Sequence, residues 1–398
     1  MATTPTSASS STSASSPTST STATSLDEMR TLALVPLPPQ PEGVPWPTDE
    51  WPRAEPLDAV AGALQALLDE ITTDTARYGT TFAVAVVHRG RLVAERYGGE
   101  LEHWDRPHEP VTPDTRLLSW SMAKSMLHAV VGMLVGEGRL SLDEPAPVPE
   151  WAGTGGPNDP GGTDAPDAVD PRRAITLDHL LAMRDGLAFS EVYDDAGTSD
   201  VIEMLFGAGH ADMAHFAADR PLAHPPGTVF NYSSGTSNIV SGVVARTVGP
   251  GEPYRRLLQD RLFGPLGMRS ADPRFDDAGT FAGSSYVYAT ARDFLRFGLL
   301  YLRDGVWEGE RLLPGGWVDH GRRIRSYDEP EDRWYGAHWW SVGDDLGTFW
   351  ASGYDGQSLM LCPPLDLMVV RLGRSPEDHH NPNLRAWRAA MVDAFRHG

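Results

Sequence analysis

Apolar residues dominate "TFAVAVVHRGRLVAERY", residues 81–97, on both sides of Arg89-Gly90. Two short β-rich runs around such a dipeptide predict antiparallel strands joined by a tight turn. Just upstream, apolar positions recur at helical spacing from about Leu57 to Arg77, which predicts an amphipathic helix. From about residue 117 to residue 303 helical periodicity dominates, broken by the loop "WAGTGGPNDPGGTDAPDAVDP". Inside this part, "ITLDHLLAMRDGL" reads as a short helix with Thr176 as N-cap and Gly186 just past its end. "TARDFLRFGLLYL" opens with Thr290 and Asp293 at capping-box spacing. Beyond Arg303 strands return, roughly "AHWWSVG", "GTFWASG", "QSLMLC" and "LDLMVVRLG". A last helix sets Leu384, Trp387, Met391 and Phe395 on one face.

Strands at both ends with helices between them imply an α+β fold: one sheet built from distant segments, carrying an inserted helical subdomain. Residues 57–116 and 304–398 form the expected sheet subdomain and residues 117–303 the mainly helical one, with a catalytic cleft between them. Residues 1–25 are Ser or Thr at 18 positions and carry no charge, so that tail is expected to be disordered. Residues 26–56 are Pro-rich with Trp46 and Trp51, which suggests an extended arm laid on the body.

A hydrophobic share of 40% supplies a sizeable core, and the formal net charge of −21 argues against a nucleic-acid partner. The single cysteine, Cys362, excludes an intramolecular disulfide and lies in an apolar run, as a buried inert thiol would. No run of 18 apolar residues occurs and the tail lacks the features of a secretory signal. A soluble, cytoplasmic protein is expected; its oligomeric state is not legible.

Chemistry concentrates in "LLSWSMAKSMLHAVVGMLVGEGRL", which holds the chain's only lysine. Ser121 precedes Lys124 by three residues, close to one helical turn, so both side chains share a face. Unpaired N–H groups of the first turn would favour negative charge on an attacking oxygen. A serine hydroxyl needs a base to become a nucleophile. Lysine can be that base once burial lowers its pKa, whereas arginine stays charged. No G-x-S-x-G elbow, H-E-x-x-H motif or phosphate-binding glycine motif is present, and neither metal nor cofactor is expected.

"SMAK" is followed about a hundred residues later by "YSS", Tyr232 to Ser234, and then by "GYDGQ", Gly353 to Gln357. This order resembles the serine β-lactamase and penicillin-binding-protein superfamily, with its S-x-x-K, Y-x-N and K-T-G signatures. "LSWSMAKS", "HPPGTVFNYSSG", "SSYVYATARDFLRFGLLYL" and "ASGYDGQ" are similar to the class C-related esterases and the 6-aminohexanoate-dimer hydrolases. The resemblance covers about residues 42–396. It implies the β-lactamase/DD-peptidase fold, an antiparallel sheet flanked by helices with an all-helical insertion. Ser121 would be the acylated nucleophile, Lys124 its base and Tyr232 the proton shuttle. A neighbouring ammonium would favour the tyrosine's anion. Oxyanion donors would be the backbone N–H groups of Ser121 and Gln357. Tyr193, Ser234, Tyr354, Asp355 and Gly356 would contact the substrate.

Two departures bear on substrate. Tyr354, Asp355 and Gly356 stand where K-T-G is usual, which removes the lysine that grips a carboxylate, and Ser234 replaces the asparagine. Both lean toward small esters or uncharged linear amides. An acyltransferase, a β-lactamase, or a penicillin-fold sensor that is acylated without turnover are the alternative readings.

Overall fold

A computed structural model describes residues 25–103, 105–152, 169–193, 199–375 and 381–397. The expected disordered tail and most of the Gly/Pro/Asp-rich loop lie outside these residues. The first long helix, α1, spans Asp58–Thr73 and leads into strands β1, Thr80–His88, and β2, Arg91–Tyr97. Arg89 and Gly90 between them both take positive φ, 49° and 72°, the backbone of a type I′ hairpin turn. After β2 the chain leaves the sheet and returns only at β3, Ser326–Asp328. It continues through β4, Arg333–Tyr335; β5, Trp340–Ser341; β6, Phe349–Gly353; β7, Gln357–Cys362; and β8, Leu367–Arg374. These form one antiparallel sheet in the order β3-β4-β5-β6-β7-β8-β1-β2, in which β8 from the end of the chain pairs with β1 from its beginning.

Both faces of this sheet are covered, which explains the unbroken apolar runs. Ala83, Ala85 and Val87 of β1 enter one core and Val84 and Val86 the other. On the outer side lie α1 and a C-terminal helix, Pro382–Arg396, whose Leu384, Trp387, Met391 and Phe395 are all buried. On the inner side lies the helix Ala291–Leu302, capped by the Thr290 side chain, which accepts from the Asp293 N–H. Gly298 lets it approach closely, since a Cβ there would sit 3.0 Å from Leu359. This helix therefore belongs to the sheet layer, although its sequence position placed it with the insertion. The insertion is also not all-helical: Leu117–Leu118, Asp272–Pro273 and Val287–Ala289 make a small three-stranded sheet.

Residues 26–56 lie along the body. Trp46 packs on Trp307 with ring centroids 5.0 Å apart, and the Trp51 indole donates to the Arg292 carbonyl. Cys362 is buried. No helix among the described residues is long and apolar enough to cross a membrane.

Candidate active site

Ser121 sits in a 3-10 turn, Trp120–Met122, that runs directly into the helix Ala123–Gly136. Trp120 has φ +44°, a left-handed conformation that a bulky residue rarely adopts and that the surrounding contacts must enforce. Gly353 makes this turn possible from the other side. A Cβ there would stand 2.3 Å from the Ser119 carbonyl, so only glycine lets β6 pass so close to the serine. The serine faces a cleft of about 790 Å³ between the sheet and the inserted helices.

Lys124 is buried directly beneath, 2% exposed. Its Nζ reaches Ser121 Oγ at 3.0 Å, Ser234 Oγ at 3.0 Å and the Ser284 carbonyl at 2.9 Å. As an ammonium it donates one N–H to each. As a free amine it keeps its donations to Ser234 and Ser284 and turns its lone pair to the serine hydroxyl. Burial lowers its pKa to about 8, while the Glu191 carboxylate pulls the other way. His338, held neutral at about 3 by burial and by the nearby Lys124 charge, bonds through Nδ1 to the Lys124 carbonyl at 2.9 Å and steadies the start of this helix.

Glu191 is a member of the site that sequence reasoning passed over. It accepts from the Ser234 N–H at 2.8 Å, from Ser234 Oγ at 2.5 Å and from the Tyr193 hydroxyl at 2.8 Å. It lies two residues from Tyr193 in the stretch singled out for that tyrosine, but only the fold brings it to Ser234, 43 positions away. Ser234 itself is fully buried. It bridges Lys124 to Glu191 and does not touch the cleft as a substrate contact would.

Tyr232 lines the cleft, with its ring 4.9 Å from Lys124 Nζ. Its pKa is raised above the ordinary phenol value by burial, and the hydrogen bond with Ser121 opposes this only in part. The expected stabilisation of its anion is thus outweighed by desolvation, and the residue is a neutral phenol. Tyr193 and Tyr354 also line the cleft and form an aromatic wall with Trp120: Tyr193 lies tilted on Tyr354 at 5.1 Å, and Tyr354 meets Trp120 in a T-shaped contact at 5.7 Å.

The rest of the "GYDGQ" turn points elsewhere. Asp355 takes φ +62° and bonds to the Trp120 side chain. Gly356 faces Leu384 of the C-terminal helix. The Gln357 N–H donates to the Tyr354 carbonyl, and its side chain holds the Gly373 backbone at 2.6 and 2.8 Å. The structure therefore does not bring Gln357 to Ser121. The residue after the glycine that meets the serine turn is Tyr354, one glycine earlier than the motif was read.

Cations absent from the strand motif enter the cleft from other segments. Arg184 and Arg30 line the cleft, together with Asp328, Glu329 and Glu331. Arg184 makes no ion pair among the described residues, and burial and the neighbouring Arg30 lower its pKa.

A strained serine turn over a buried lysine, set between an antiparallel sheet and an inserted helical part, defines the class of penicillin-recognising folds. A family model described as Beta-lactamase matches residues 64–393, and the chain belongs to that family. Over 366 residues it is 30% identical to the 6-aminohexanoate-dimer hydrolase of Paenarthrobacter ureafaciens, covering 84% of this chain and 81% of the relative. Among solved structures it is similar to EstCE1, described as a hydrolase with promiscuous acyltransferase activity, with a TM-score of 0.63 at 17% identity over 84% of this chain and 98% of that one. A penicillin-binding-protein homologue from Caulobacter crescentus matches with a TM-score of 0.63 at 16% identity, over 85% and 99%. The chain is a β-lactamase-fold hydrolase of the serine β-lactamase and penicillin-binding-protein superfamily.

Proposed function

We propose that the protein hydrolyses small carboxylic esters or linear amides through an acyl-enzyme on Ser121. The observation that carries this reading is the 3.0 Å approach of a buried lysine, with its pKa lowered to about 8, to the serine hydroxyl. Ser121 Oγ attacks the substrate carbonyl as its proton passes to Lys124 Nζ. The oxyanion is held by the Ser121 N–H, with the Tyr354 N–H, which follows Gly353, as the second donor. When the tetrahedral species collapses, the neutral Tyr232 phenol gives its proton to the leaving group and recovers one from the Lys124 ammonium. Water repeats the sequence in reverse roles and frees the acid. Arg184 in the cleft lining extends the substrates to those that end in a carboxylate, despite the missing strand lysine.

Hydrolysis of a chromogenic short-chain ester that disappears in Ser121→Ala is the expected result; turnover retained in that variant removes the proposal. Added alcohol separates hydrolysis from acyl transfer by product analysis.

Glu191 offers a check on the base. Its charge raises the Lys124 pKa, so Glu191→Gln lowers it, and the acidic limb of kcat/KM moves down by about one pH unit. A limb that stays in place or moves up contradicts the assignment of that limb to Lys124.

A further inference from the structure

A second cavity, of about 450 Å³, opens on the outer side of the sheet between its β4–β6 end and the C-terminal helix Pro382–Arg396. Leu346, Trp350, Met360 and Val392 give it apolar walls. Three polar groups in the same walls lack a nitrogen or oxygen hydrogen-bond partner among the described residues. Arg333 Nε and Thr348 Oγ1 are buried without a nitrogen or oxygen partner, and the Cys362 thiol is the neighbour of the latter. The third is the Arg388 guanidinium, which makes no hydrogen bond or ion pair and lies 5.9 Å from the centre of the Trp350 ring.

Charge sharpens the picture. Arg333 is paired with Asp328 at 3.2 Å, Arg385 with Asp332 at 3.4 Å and Arg396 with Asp345 at 2.6 Å, which leaves Arg388 as the lining cation without a counter-charge among the described residues. Asp344 lines the cavity but accepts from the Thr348 N–H at 2.8 Å, and Asp393 is beyond ion-pair distance of Arg388. Burial and the neighbouring guanidinium groups of Arg333 and Arg385 push Arg388 down to about 10. Arg388 is half-buried, and a cation in that position beside other guanidinium groups is favoured by an anion that joins it.

We propose that this cavity binds a carboxylate carried on an apolar body of about six to ten carbons, with its head on Arg388 and its tail against Trp350 and Val392. A plain anion would leave the apolar walls wet, and a neutral lipid would leave Arg388 unpaired. Arg333 lines both this cavity and the Ser121 cleft, so an occupant here is felt next to Tyr232.

The test titrates the full chain with octanoate at fixed ionic strength, following tryptophan fluorescence, with octanol and acetate as comparison probes. Saturable octanoate binding is expected, at least about ten-fold tighter than either comparison probe and at least about ten-fold weaker in Arg388→Met. Val392→Trp, which fills the tail site, is expected to lose binding equally and carries the test if Arg388→Met does not fold. Octanoate bound at the Ser121 cleft would survive both substitutions. A loss smaller than ten-fold in these variants, octanol or acetate matching octanoate, or no saturation by about 10 mM overturns the proposal.

Discussion

Lys124→Met is expected to lose ester turnover by about 10³-fold or more and at the same time to stabilise the fold. Methionine matches the length of the lysine stem and fits a position that is 2% exposed, but it has no lone pair for the Ser121 proton. The stability gain follows from linkage. The folded pKa is about 8 and the unfolded value 10.5, so between these the unfolded chain binds more protons and wild-type stability rises with pH. Below pH 8 the wild type carries the whole cost of the buried charge, about 3 kcal/mol at 1.36 kcal/mol per pH unit. Leaving the Ser284 carbonyl without its lysine donor offsets about 1 kcal/mol of this. Calorimetry at pH 7 should therefore place the variant above wild type, with the gap shrinking from pH 8, closing about 1.5 pH units higher and reversed above about pH 10.5. A variant that keeps its activity, or that melts lower at pH 7, contradicts a neutralised buried base.

Tyr232→Phe is expected to lower kcat by about 10²–10⁴-fold with little change in KM. The phenylalanine keeps the ring beside Lys124 and Trp340, where the Tyr232 centroid is 5.3 Å from the indole, and removes only the hydroxyl that bonds Ser121. Because burial raises the Tyr232 pKa, the residue works as a neutral donor, and its own titration falls above the usual phenol range. The rate profile of the wild type should then rise toward pH 8–9 with Lys124 and show no tyrosine limb below pH 10. An acidic limb that disappears in Tyr232→Phe would instead assign the base to a phenolate.

Local rules carried a large part of this reading. The Ser121–Lys124 spacing is a matter of one helical turn and could be read without any distant contact. The same holds for the Arg89-Gly90 turn, the Thr176 and Thr290 caps, and the buried face of the C-terminal helix. Each of these depends on backbone geometry within a few residues. The choice between Tyr354 and Gln357 could not be made this way, because two glycines flank the turn and only the approach of Gly353 to Ser119 selects one.

Sequence alone thus determined the fold class, the apolar strands and the adjacency of hydroxyl and amine. Tertiary structure decided everything that depends on burial or on segments far apart in the chain. It joined Glu191 to Lys124 through Ser234 and supplied the Ser284 carbonyl from 160 positions away. It also made Tyr232 a neutral phenol and left Arg388 facing a cavity without a counter-charge among the described residues. The physical reason is that helix and turn geometry acts over one or two turns, whereas desolvation and charge pairing are set by whichever segments the packed core brings together.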